Sequence, residues 1–193
     1  MEITTDHIKD LRARTGISIM QCKKALEEAN GDMEKAIVIL QKNSKSQAEK
    51  KNDRELKSGT IASYIHSNGI VGAMVELACE TDFVGKNKEF IALAYDIAMH
   101  IVAQNPQFLS KEDIDEHTRN VAKEVFLEEV KDKPEEMQEK ILEGKISAYF
   151  GDKVLLEQFH IKNPELTVRQ LVESASQKFG EKVVLMRFTR FAI

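Results

Sequence analysis

The sequence predicts an α+β fold, in which a three-helix bundle precedes a three-stranded antiparallel sheet with helices on one face and a projecting antiparallel helical hairpin. Three observations predict it. Residues 3–42 contain three short amphipathic segments in succession, each with the start and stop signals of a helix. Apolar runs flank an Asn-Gly pair, and a further apolar run closes the chain. Two charged helical segments with narrow apolar seams lie between these runs.

The composition allows a buried core and a well-solvated surface. Of the 193 residues, 42% are hydrophobic and 31% are charged. No apolar run is long enough to cross a bilayer, and the first residues lack the basic and then apolar order of a signal peptide. We therefore expect a cytoplasmic protein with no membrane partner.

The charge balance and the cysteines narrow the choice of partners. The formal net charge is −4, whereas a general polyanion binder needs a clustered surplus of Lys and Arg. We therefore expect a protein partner and no direct contact with nucleic acid. Cys22 and Cys79 are far apart and have no Cys or His neighbours at ligand spacing, so we predict two small core residues and no metal site.

The first element, over residues 1–42, is predicted as three short helices. Thr4, Ser18 and Asp32 stand at the three N-cap positions, and Gly31 marks the end of the second helix. Each helix carries apolar residues at helical spacing. Such a bundle resembles the ubiquitin-associated fold, and it is small enough to be a tethered docking domain.

The next segment, residues 43–58, is predicted as a charged linker. Leu56 is its one large apolar residue, so the segment cannot bury a face. Its surplus of Lys and Arg would also suit nucleic-acid binding, but no aromatic residues are interleaved with the basic ones and no known binding motif is present. The sequence therefore favours a solvated tether, partly helical at either end.

The predicted sheet is built from three runs. Residues 60–66 are rich in β-formers and end at the Asn-Gly pair, which is a strong hairpin signal. Residues 70–79 are almost unbroken in apolar residues, with Glu76 as the exception, and this predicts a central strand that is covered on both faces. Residues 183–191 return after a long excursion and supply the third strand.

Helices complete the predicted core domain over residues 59–193. An apolar stripe at helical spacing begins at Phe90. Sparse apolar stripes in heavily charged surroundings predict the helical hairpin at about residues 111–150. Apolar pieces within residues 154–161 are expected to lie along the core, and Thr167 caps a final helix.

The chain leaves the predicted central strand through Thr81, Asp82, Phe83 and Val84, which we call the corner. A large ring at such a place is either tucked under its own domain or offered to another molecule. The pattern alone favours Phe83 as a core residue at a strand-to-helix turn. His100 lies beside the apolar stripe of the next helix, where a lone His usually has a structural role.

Two segments resemble signatures of the translation elongation factor Ts family. Residues 76–86 are similar to its second signature, of which the corner is the most specific part, and residues 11–26 are similar to the other. Ala78, Gly85 and Gln21 depart from the commoner pattern, but none of them lies in the corner. The resemblance covers nearly the whole chain, and the single sheet corresponds to a short form of the family.

The resemblance implies a nucleotide exchange factor for elongation factor Tu, in its GDP-bound and nucleotide-free states. The corner would press into that GTPase near its nucleotide, where Phe83 enters an apolar pocket between helices and Asp82 adds a negative, hydrogen-bonding edge. Thr81 and Val84 complete the inserted element. The Mg²⁺ that neutralises the diphosphate would then lose its coordination, and GDP would leave faster.

The resemblance also implies further contacts. His100 matches a family segment that contacts the GTPase, and Leu11 and Met20 belong to the bundle that rests on the GTPase in family members. In long members a second subdomain supplies further contacts to the GTPase, and short members regain these contacts by forming dimers. We therefore expect a homodimer that binds two GTPases, with Val71 and Gly72 near the shared surface.

No catalytic constellation is present in the sequence. It has no GxxxxGK loop, no HExxH and no GxSxG, and its five His residues are scattered. We therefore expect no enzymatic activity and no cofactor. Two other functions stay open: a ubiquitin-like-binding adaptor or scaffold, resting on residues 3–42, and a nucleic-acid chaperone, resting on the basic residues of the linker.

Overall fold

The N-terminal part is a bundle of three helices. The computed structural model describes residues 3–131 and 134–193. Helix α1 spans Thr5–Thr15, α2 spans Ile19–Glu28 and α3 spans Met33–Glu49. The side chains of the three predicted N-cap residues accept hydrogen bonds from backbone N–H groups in the first turns of these helices. The three helices enclose a small core made of Ile8, Leu11, Ile17, Cys22, Ala25, Leu26, Ala36, Ile37 and Leu40.

The segment after the bundle differs from the solvated tether that the sequence predicts. Helix α3 continues to Glu49 and packs along the last helix of the chain. The buried hydroxyl of Ser44 bonds the side-chain oxygen of Gln177, and the Lys51 ammonium group donates to the carbonyl of Ser176 at 2.7 Å. The buried positions are polar, which is why the hydrophobic pattern does not reveal them. The division into domains at residues 42 and 58 stays a prediction.

Three strands form an antiparallel sheet in the order β1-β2-β5, as the sequence predicts. Strand β1 spans Ser58–Ile65, β2 spans Val71–Cys79 and β5 spans Val184–Ala192. The loop between β1 and β2 closes with a hydrogen bond from the Gly69 N–H to the His66 carbonyl, and Gly69 adopts the left-handed conformation with φ 72°.

One face of the sheet is covered by helices. Helix α4 spans Asp82–Gly85, α5 spans Lys88–Gln104 and α8 spans Val168–Phe179. Side chains from the inner face of the sheet and from α5 and α8 form one large core, in which Leu77, Phe90, Ile97 and Ile101 are fully buried. The prediction that β2 is covered on both faces is wrong, because its outer face is open, and Met74 lies there exposed.

The remaining elements lie between α5 and α8. Helix α6 spans Glu116–Val130 and α7 spans Glu135–Gly151; the two contact each other around a small core of Ala122, Phe126, Ile146 and Phe150. Strands β3, Phe159–His160, and β4, Asn163–Thr167, form a second small sheet. The predicted break at residues 131–134 includes residues 132 and 133, which lie outside the described residues. That α6 and α7 project as an antiparallel hairpin stays a prediction.

Among residues 3–131 and 134–193, no helix has the length and apolar character needed to cross a bilayer. The α+β class and the three-stranded sheet are confirmed. The likeness of the bundle to the ubiquitin-associated fold and the cytoplasmic location stay predictions.

Candidate functional site

The corner lies where β2 ends and the one-turn helix α4 begins. Thr81 has an extended backbone (φ −125°, ψ 156°), and α4 follows it at once. The Gly85 N–H donates to the Thr81 carbonyl at 3.1 Å and the Lys86 N–H donates to the Asp82 carbonyl at 2.9 Å, which closes the turn. Asn87 then caps α5, so the chain reverses direction within a few residues.

Phe83 points away from the domain. Its side chain is 81% exposed, whereas Val84, the next residue, is 4% exposed and belongs to the main core. Successive residues of a helical turn point about 100° apart, so burial of Val84 turns the Phe83 ring outward. The interpretation of Phe83 as a core residue is therefore wrong. A large apolar ring held in water at the tip of a folded corner is a feature of binding sites.

Asp82 places a carboxylate next to this ring. Its Oδ2 accepts a hydrogen bond from the Lys86 ammonium group at 2.7 Å, and both side chains are exposed. This hydrogen bond and the positive charge of Lys86 lower the pKa of Asp82. The corner thus presents an ionised carboxylate beside an exposed aromatic ring at neutral pH.

The corner is anchored from below by close backbone packing. Gly85 lies against β1 so tightly that a Cβ atom there would come within 3.0 Å of the Gly59 carbonyl oxygen and of the Ser58 hydroxyl. Together with the buried Val84 side chain, this contact fixes the inner side of α4 against the sheet. The outer side, with Phe83, is free to meet a partner.

A second exposed apolar surface is the side of the sheet that the helices leave uncovered. We call it the outer face. In the strand register Gly72 lies between Ile65 of β1 and Phe191 of β5, and each of these two side chains is 69% exposed. Ile61 and Met74 extend the same surface and are also exposed. The resemblance implies a shared surface near Val71 and Gly72, and the exposed residues Ile61 and Ile65 of β1 were not named for it, although they lie four positions apart in the same strand.

Comparison with known proteins identifies the family. The family model of elongation factor Ts matches residues 5–193. The chain is 49% identical over 150 residues to elongation factor Ts of Thermotoga sp. (strain RQ2), covering 78% of this chain and 75% of that protein. It is 45% identical over 157 residues to elongation factor Ts of Syntrophus aciditrophicus (strain SB), covering 80% and 78%. The chain belongs to the elongation factor Ts family.

Membership of the elongation factor Ts family defines the role of the chain in the cell. It acts in translation elongation as a nucleotide exchange factor for elongation factor Tu. No group of three or more His, Cys, Asp or Glu side chains in the described parts of the chain is placed to hold a metal ion.

The other residues that the elongation factor Ts resemblance implies are not brought together at the corner. Met20 is highly exposed at the start of α2, and Val71 and Gly72 lie half-buried at the start of β2. Leu11 and His100 are fully buried, so the structure offers neither side chain to a partner. For these two residues the expectation of a direct contact lacks support.

His100 instead joins α5 to the segment before β4. Because the Ile161 N–H donates to its Nδ1 at 3.3 Å, its Nε2 carries the proton that is donated to Oε1 of Gln158 at 2.9 Å. Its ring stacks on His160 with the ring centroids 5.4 Å apart. Burial lowers the pKa of His100 to about 4, so the residue is neutral at physiological pH. These contacts fit the structural role that the sequence left open.

Proposed function

We propose that the corner is the element that drives nucleotide exchange. The observation that carries this proposal is the exposed ring of Phe83 on an anchored turn, next to the ionised Asp82. An aromatic ring that enters an apolar pocket of elongation factor Tu contributes about 2 kcal/mol or more, the scale of an interface hot spot. Thr81 and Val84 position the ring, since the backbone of Thr81 is extended just before α4 and the side chain of Val84 is buried in the core.

The mechanism needs no bond to be made or broken in this chain. Insertion of the ring between helices of the GTPase would displace those helices and disturb the coordination of the Mg²⁺ that neutralises the diphosphate, so that GDP would leave faster. If the factor weakens nucleotide binding by some ratio, the nucleotide weakens binding of the factor by the same ratio. Entry of GTP therefore releases the factor, and one molecule can serve many GTPases.

Two further surfaces complete the proposed complex. The exposed Met20 suits a contact between the N-terminal bundle and the GTPase, while buried Leu11 and His100 act by keeping their elements in place. The outer face suits a second copy of the chain, because Gly72 has no side chain between the exposed apolar residues of the strands beside it. A homodimer formed in this way would bind two GTPases.

Release of labelled GDP from elongation factor Tu tests the proposal. The wild-type chain is expected to accelerate release, and Phe83→Ala is expected to lower the second-order rate of stimulated release by roughly 30-fold, the equivalent of about 2 kcal/mol. The matched control is Phe159→Ala, which removes another exposed phenylalanine from β3. Equal loss in both variants, or no loss in Phe83→Ala, overturns the proposal.

A further inference from the structure

Thr81 stands at the N-cap of α4 but does not cap it. Its backbone has the extended conformation of an N-cap residue, yet its side chain accepts no hydrogen bond from the first turn. The hydroxyl group instead donates to Oε1 of Glu181 at 2.5 Å. The N–H groups of Glu80 and Thr81 both donate to Oε2 of the same carboxylate, each at 3.0 Å. One distant carboxylate thus binds the two residues that lead into the corner.

The bonding is reciprocal. The carboxylate of Glu80 accepts a hydrogen bond from the Lys182 N–H at 2.5 Å and another from the Arg54 guanidinium group at 3.1 Å. The bond from Lys182 is the main cause that lowers the pKa of Glu80, so this group is ionised at neutral pH. Residues 80 and 81 therefore donate to the carboxylate of Glu181, while the N–H of Lys182 donates to the carboxylate of Glu80.

The basic segment after α3 completes this network. The Lys182 ammonium group donates to the carbonyls of Asn52 and Arg54, at 2.6 and 3.1 Å. Arg54 also reaches the Gly180 carbonyl at 3.5 Å. These two cations lie at the surface and join the loop between α8 and β5 to the end of β2 and to the segment after α3. Arg54, one of the basic residues of this segment, therefore has a partner within the chain.

We propose that Glu181 is a positioning residue for nucleotide exchange: with Glu80, Thr81, Arg54 and Lys182 it forms a clasp that fixes the direction in which Phe83 leaves the core. This inference rests on the proposed function of the corner. A single helical turn cannot hold its own geometry in water, because a helix shorter than three turns is marginal when isolated. Hydrogen bonds to an ionised carboxylate are stronger than bonds between neutral groups, so they are suited to fixing such a turn.

The clasp has a distinct kinetic signature. If the corner samples other orientations, the fraction of molecules ready to bind falls, and the apparent affinity falls by the same fraction. The variant Glu181→Gln keeps the size of the side chain but loses its charge and one acceptor. We expect it to raise the concentration of factor needed for half-maximal GDP release by about tenfold, with the maximal rate within about twofold of wild type.

Two further measurements separate positioning from general damage. Amide hydrogen exchange at residues 80–84 is expected to be about tenfold faster in Glu181→Gln than in the wild type. The effect of Thr81→Val, which replaces the hydroxyl by a methyl group, is expected to shrink when Glu181→Gln is already present, since the Thr81 hydroxyl and the Glu181 carboxylate form one hydrogen bond. The matched control is Glu157→Gln. The carboxylate of Glu157 accepts a hydrogen bond from Arg169 outside the clasp, so this variant is expected to leave the concentration of factor for half-maximal GDP release unchanged.

The outcomes distinguish this inference from the proposed function. If Phe83→Ala slows release but Glu181→Gln and Thr81→Val leave both half-saturation and amide exchange at the wild-type values, the clasp is overturned and the function of the corner stands. If Phe83→Ala has no effect, the proposed function fails, and a positioning role in exchange fails with it. Should Glu181→Gln not fold, Thr81→Val alone decides, because it leaves the charges in place.

Discussion

Phe83 and Val84 are neighbours in the chain, yet one side chain lies in solvent and the other lies in the main core. Because of this contrast, substitution of Phe83 tests binding to the partner, whereas substitution of Val84 tests the stability of the fold. In a continued strand the two side chains would also lie on opposite faces, but the ring would then lie on the sheet and not at the tip of an anchored turn.

The pair gives the first prediction. Val84→Ala is expected to lower the free energy of unfolding by about 1–3 kcal/mol, because it leaves a cavity under α4. Phe83→Ala is expected to change it by less than about 0.5 kcal/mol, since the ring is exposed. Denaturant unfolding followed by circular dichroism checks both values. A large loss of stability in Phe83→Ala would mean that the ring contributes to the fold.

The sequence predicts the elements of this fold that depend on local chemistry. Thr4, Ser18 and Asp32 act as N-caps where predicted, and the Asn-Gly pair before β2 forms the hairpin loop. The corner could be located because its residues resemble a family signature. The apolar pattern alone favours a buried Phe83, and only the resemblance implies an outward ring, because burial of Val84 depends on contacts with strands and helices that are distant in the chain.

Features that depend on polar partners distant in the chain could not be predicted from the sequence. Ser44 and Lys51 are buried because Gln177 and Ser176 supply hydrogen bonds from α8, and no hydrophobic periodicity marks such positions. The open face of β2 was missed for the opposite reason. A run of apolar residues predicts cover on both faces, whereas outer side chains of this strand and its neighbours, such as Met74, Ile65 and Phe191, are exposed.

The second prediction concerns the buried lysine. Lys51→Met keeps the aliphatic stem but leaves the Ser176 carbonyl without the donor at 2.7 Å, so we expect a loss of about 1–2 kcal/mol in the free energy of unfolding. The matched control is Lys50→Met at the neighbouring exposed position, which is expected to change it by less than about 0.5 kcal/mol. Equal stability of the two variants would support the solvated tether that the sequence predicts.

The third prediction is a pH dependence that comes from His100. Burial lowers the pKa of His100 from its ordinary value of 6.5 to about 4, so between these two pH values the unfolded chain binds a proton that the folded chain does not bind. Stability from this group is therefore complete above about pH 6.5 and is lost as the pH falls toward 4. Between about pH 7 and about pH 5, where most carboxylates remain ionised, the loss is expected to be about 2 kcal/mol.

Denaturant unfolding at the two pH values measures this loss. Burial also lowers the pKa of His160, which faces His100, Asp96 and Lys162, so it acts in the same direction. His100→Gln is expected to be less stable than the wild type at neutral pH but to show a clearly smaller drop between the two values. An identical drop in the wild type and in His100→Gln would show that other groups cause the pH dependence.

The fourth prediction concerns the outer face. If two copies pack through it, Ile65→Asp places two unpaired carboxylates in an apolar interface, which is strongly unfavourable because a buried charge needs a partner. We expect light scattering to report twice the chain mass for the wild type and a monomer for Ile65→Asp, with the helix content retained. Ile91→Asp makes the same change at an exposed site on α5, and it is expected to leave the dimer intact. A wild-type chain that remains monomeric at all concentrations, and forms a one-to-one complex with elongation factor Tu, would contradict pairing through this surface.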